Sequence, residues 1–144
     1  MSANLDMSND RANIAFLGSR NDVWHRMGQE MLPGQSIEAW ADSAGLGWRA
    51  IKVPAIANLA GPEFDHLAFS ERFAKVEDRS FIARSDTGSI LGYVSGEDER
   101  GGYQIVQPSD VLAWFDRYIS VDDRFELDVA GSLDGGRRIW ATAK

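Results

Sequence analysis

The side chains able to do chemistry are few and scattered along this chain. His25 follows Trp24 in "WHRMG", where the two could line a pocket; the plainer reading is a turn anchored by Trp24. His66 stands beside Asp65, and two histidines without H-x-H or H-x-x-x-H spacing are a poor basis for a metal site. There is no cysteine, which excludes disulfides, thiolate zinc, iron–sulfur clusters and a cysteine nucleophile. "AGLGW" lacks the dinucleotide pattern, "LDGGRR" lacks the lysine and hydroxyl of a phosphate loop, and no G-x-S-x-G elbow occurs. The acids Glu97, Asp98 and Glu99, and Asp122 with Asp123, lack the alternating spacing of a calcium loop. They read as solvated, or as an acidic contact surface for a basic partner. No catalytic residue, metal or cofactor is expected.

The residues with a definite spacing are Arg137, Arg138 and Trp140 in "GGRRIWATA". On a strand, Arg138, Trp140 and Thr142 share one face, and Ile139, Ala141 and Ala143 the other. An arginine two residues from an aromatic ring is the pattern of a single-strand stacking platform and of a protein-binding hot spot. The plainer reading is a surface ladder in which Arg138 lies along Trp140 and pairs with Glu126 or Asp128. With Arg84 and Arg117 added, these arginines could form one local groove for single-stranded nucleic acid.

Elements must hold these groups. Residues 1–13 are polar and read as a flexible tail, and 14–144 as one domain. "SIEAWADSAG" has a capping Ser36 and apolar Ile37, Trp40, Ala41 and Ala44 at helical spacing, so a helix is expected over about 36–45. "PSDVLAWFDRYIS" predicts a second helix over about 109–119, capped by Ser109, with a broad buried face from Val111 to Ile119. Strands are expected at Ile14–Leu17, in "WRAIKVPAIA" with Pro54 at an edge or bulge, in the hairpin "SFIARS-DTG-SILGYVS", in "YQIVQ", and in "DDRFELDVAG" returning as "RRIWATA". Residues 58–79 read as a long connection folded back on the core, with a helical turn near Ser70 to Val76. The order predicts an α+β fold: a mainly antiparallel sheet with both helices packed on one face.

Hydrophobic residues make up 44% of the chain and its net charge is −7. There is no apolar run near membrane-spanning length and no secretory leader pattern, so a cytoplasmic protein without membrane contact is expected. The charge disfavours duplex DNA as the main ligand, because phosphate neutralisation needs a basic footprint.

Five stretches, "VWHRMGQEM", "AGLGWRAIKVP", "ARSDTGSILGYVS", "GYQIVQPSDVLAWFD" and "GSLDGGRRIWATAK", together resemble the phage/plasmid-like family called domain of unknown function 932, from about Phe16 to Lys144. The resemblance implies a mobile genetic element in a bacterial cell and brings no catalytic residues. Family members commonly continue past the "GGRR" strand, so a terminal edge strand open to a second copy is expected. A fold-level likeness to the single-strand annealing recombinases of phages implies a basic groove. The functional expectation is a non-enzymatic accessory protein that binds host machinery, of an anti-defence, anti-CRISPR-like kind. The alternative is a recombination-associated protein that binds single-stranded nucleic acid.

Overall fold

Strand β1 (Ile14–Leu17) is four apolar residues long and buried on both faces. It can be so because it lies inside a four-stranded sheet in the order β2-β1-β6-β7. The partners are β2 (Gln29–Met31), parallel to β1, then β6 (Leu127–Leu133) and β7 (Arg138–Ala143), both antiparallel. The computed structural model describes residues 4–18, 27–95, 104–122 and 124–144.

Helix α1 (Ile37–Ser43) starts where the Ser36 hydroxyl accepts the Ala39 N–H at 3.2 Å. Helix α2 (Pro108–Val121) starts with proline at its first position, where no donor is lost. Both cover the same face of the sheet. Trp40 and Ala44 from α1 and Leu112 from α2 join Ala15, Leu17, Leu127 and Ala130 in the main core. On the opposite face Ile14, Phe16 and Val129 are covered by Ala12, Leu5, Met27 and Trp140.

A second, antiparallel sheet has the order β3-β4-β5, from β3 (Ala50–Asn58), β4 (Phe73–Arg84) and β5 (Ile90–Ser95). It meets the first where Trp48, Ala50 and Ile82 pack with Leu91, Val94, Ile105 and Ile139. Pairing of β4 with β5 stops at Arg79↔Ser95. Beyond it, among the described residues, β3 and β4 continue as a two-stranded arm, with Ile56↔Lys75 and Asn58↔Phe73 in register.

The α+β class, both helices and the terminal hairpin are as expected; six details differ. There are two sheets, and β1 pairs with β2 in parallel. Residues 4–13 are no tail: Asp6, Ala12 and Asn13 are buried, and Leu5 bridges to Leu133. Of the supposed connection 58–79, the part from Phe73 onward is strand. Its Phe69 and Phe73 meet edge to face at 5.3 Å on the arm and leave the core alone. Residues 104–107 form no strand, because the Gln107 side chain takes the pairing role, accepting the Ala50 N–H at 2.8 Å and donating to the Ala50 carbonyl at 2.9 Å. Ser109 does not cap α2; Gln107 precedes the helix and its N–H is held by the Asp110 carboxylate at 2.8 Å.

Candidate functional site

Helix α2 is apolar on more than one side. Leu112, Phe115 and Ile119 face the core. Trp114, Tyr118 and Val121 recur at four and three residues, one turn apart, and point outward at 59%, 55% and 88% exposure. The broad buried face expected from the sequence is therefore divided between core and surface. The Trp114 and Tyr118 rings stack at 5.6 Å with 18° between planes. Phe125 extends the row, 6.0 Å from Tyr118. Trp114, Arg117, Tyr118, Val121 and Asp122 line an open hollow of about 460 Å³. At its end Arg124 grips Asp122 with two hydrogen bonds of 2.9 and 2.7 Å, which hold the Asp122 carboxyl below its usual range. An exposed aromatic row rimmed by charge is the composition of a binding surface, since Trp, Tyr and Arg supply large rigid contact area.

A second constellation is closed to solvent. Arg84 is 2% exposed. Its Nη1 donates to Asp6 Oδ2 at 2.7 Å and to the Gly135 carbonyl at 3.0 Å, and Nε and Nη2 reach Asp86 at 2.9 and 2.8 Å. Its guanidinium also lies 4.6 Å from the Trp48 ring centroid. Asn13 and Ser132 donate to the same Asp6 carboxylate, each at 2.9 Å. Burial opposes ionisation of Asp6, but the hydrogen bonds from Ser8, Asn13 and Arg84 outweigh it and hold the carboxyl far below the ordinary range. Burial likewise works against the Arg84 charge, and its bonds to Asp86 and Asp6 more than restore it. Space is tight here: Gly136 has φ +95°, and a Cβ on it would come within 2.8 Å of the Trp48 ring.

The arginine groove expected from the sequence does not assemble. Arg84 is the center of the buried cluster and cannot reach a ligand. Arg138 and Trp140 do share a strand face, with Ile139 and Ala141 packed on the helix side as expected. Trp140, however, packs on the cluster of Ile14, Phe16 and Val129. Arg138 pairs with Asp134 at 3.3 Å, not with Glu126 or Asp128; Asp128 is met by Lys144 at 3.2 Å. Arg117 lies on α2, across the sheet from Trp140. Arg137 turns toward the second sheet, with Nη2 3.4 Å from the Ile90 carbonyl. Trp24, His25, Glu97, Asp98, Glu99 and Asp123 lie outside the described residues. Among the described residues no three acidic or histidine side chains converge as metal ligands, and no helix is long and apolar enough to cross a membrane.

Sequence reasoning missed Asp6, Trp48 and the outward role of Trp114 and Tyr118. The last had a visible signal: residues 114, 118 and 121 form a stripe of their own, offset from 112, 115 and 119. Asp6 had none, because its partner is 78 residues away.

No curated protein and no solved structure matches the chain. The family model described as Domain of unknown function (DUF932) matches residues 97–144, a span that contains α2, β6 and β7. The resemblance expected from about Phe16 is thus carried by the C-terminal part alone: over this helix and terminal hairpin the chain is similar to the DUF932 family.

Proposed function

We propose that this protein is a non-enzymatic binding module whose partner is a protein, engaged by the outward face of α2. The observation that carries the reading is the stacked, exposed Trp114–Tyr118 pair continued by Val121 and Phe125. A protein partner fits a net charge of −7 better than a polyphosphate does. Charge also suggests the partner's class: a basic, nucleic-acid-handling protein of the bacterial host, the kind that an anti-defence protein of a mobile element would occupy.

The single-strand reading keeps one observation of its own. Arg117 lines the same hollow as the aromatic pair, and a cation beside stacked rings suits unpaired bases. That reading now belongs to α2 and not to the Arg138–Trp140 strand face.

The test compares wild type with Trp114→Ser/Tyr118→Ser. Host proteins retained on the immobilised wild type are identified, and the binding of each is measured in isolation. A fluorescent single strand is titrated in parallel at two salt concentrations, and mass is followed by light scattering. A purified host protein whose affinity falls at least about tenfold in the double variant supports the proposal. Salt-sensitive strand binding lost in the same variant moves the function to nucleic acid. A concentration-dependent dimer lost in that variant assigns the face to a second copy. If none of these depends on Trp114 and Tyr118, the α2 face is not the site.

A further inference from the structure

Between the three-stranded sheet and β7 lies a cleft of about 350 Å³ that the α2 surface does not share. Its walls are apolar: Ile82 and Leu91 from the second sheet, Ile105, Val111 at the start of α2, and Ile139 of β7. A volume of this size holds a small molecule, and an apolar wall with a few polar groups is the usual character of a ligand pocket. Two polar features stand in this wall. The first is Arg137, exposed, whose guanidinium makes a single long bond to the Ile90 carbonyl at 3.4 Å; no carboxylate among the described residues forms an ion pair with it. The second is Trp48, 6% exposed, whose buried indole N–H has no hydrogen-bond partner among the described residues.

The contrast with neighbouring arginines is what gives Arg137 meaning. Arg84 and Arg138, next to it around the Gly135–Gly136 turn, each hold a carboxylate of this chain. On a protein with more acids than bases, an arginine without one, set in an apolar cleft, is complementary to an anion that comes with an apolar body. We propose that this cleft binds a small amphipathic carboxylate, its apolar chain between the second sheet and Ile139 and its carboxylate on Arg137. The glycine turn before Arg137 sets its position. Gly135 and Gly136 have φ +66° and +95°, and the Gly135 carbonyl is tied to Arg84, so Arg137 leads into β7 from a fixed corner.

Titration calorimetry with octanoate, against octanamide as the neutral isostere, tests this on the full chain. Octanoate is expected to bind, and octanamide at least about tenfold more weakly, as loss of a charge-assisted pair implies. Arg137→Gln should reduce octanoate affinity to the octanamide level, and Val111→Phe, which fills the cleft, should weaken both ligands. Trp114→Ser/Tyr118→Ser should leave octanoate binding unchanged, so failure of the α2 proposal and failure of this one are told apart. Absence of octanoate binding, equal affinity for acid and amide, or binding untouched by both Arg137→Gln and Val111→Phe would overturn the assignment. Melting curves confirm that each variant is folded.

Discussion

Removing the Asp6 carboxylate leaves Arg84 charged, buried and short of a partner. Breaking a buried pair from one side is far costlier than the pair is worth. Asp6→Ala is therefore expected to lose about 3–5 kcal/mol in denaturant unfolding, whereas Arg124→Ala, at an exposed pair, should stay within about 1 kcal/mol of wild type. The pH dependence follows in sign. Asp6 and Asp86 both titrate below their ordinary values when folded. The unfolded chain then binds more protons as acid is added, so the stabilisation is complete above the unfolded carboxylate value of about 3.9 and is lost as pH falls below it. Melting temperature should show no change from this cluster between about pH 7 and pH 5 and fall steeply below about pH 4. Asp6→Asn should flatten that acid limb. An undiminished limb in the variant would place the acid sensitivity elsewhere.

At the scale of elements, the two apolar sides of α2 should separate energetically. Leu112→Ala empties a buried site and should cost about 2–5 kcal/mol. Trp114→Ala and Tyr118→Ala remove surface rings and should cost about 1 kcal/mol or less each. If the surface pair costs as much as Leu112, it belongs to the fold and not to a partner. The two-stranded arm makes a different prediction. Among the described residues, 56–58 and 73–75 pair only with each other, while 80–83 lie between two strands. Amide exchange should be fastest in the arm and slowest at Phe81 and Ile82.

These elements also show what the sequence could convey. Helix α1 was legible to its cap, because capping and periodicity are local. Strand β1 and the "DTG" and "LDGG" turns were legible for the same reason. The arm was not: its apolar Phe69 and Phe73 look like core residues until their pairing with each other is known. Leu127 and Val129 look like one alternating face, yet a register shift between them sends Leu127 to the helix side and Val129 to the other. The arginine groove failed similarly, since nothing local distinguishes the buried Arg84 from the exposed Arg138.

On the scale of the whole molecule, the acidic surplus and the buried charge cluster act independently. Most surface charge is solvated and sets solubility and choice of partner. The Asp6–Arg84–Asp86 cluster instead ties three distant parts of the chain, the first residues, the end of β4 and the turn before β7. High salt should therefore weaken association with a basic partner while changing the melting temperature little. A melt as salt-sensitive as the binding would contradict the burial of the cluster.

Asp6 and Ser132, which share a hydrogen bond, are 126 residues apart. β1 likewise must wait for β6 before its antiparallel neighbour exists. On a ribosome, therefore, β1 emerges long before β6 and can pair at first only with β2. Its other edge stays open until β6 is made, and that edge is where a chaperone would find this apolar strand.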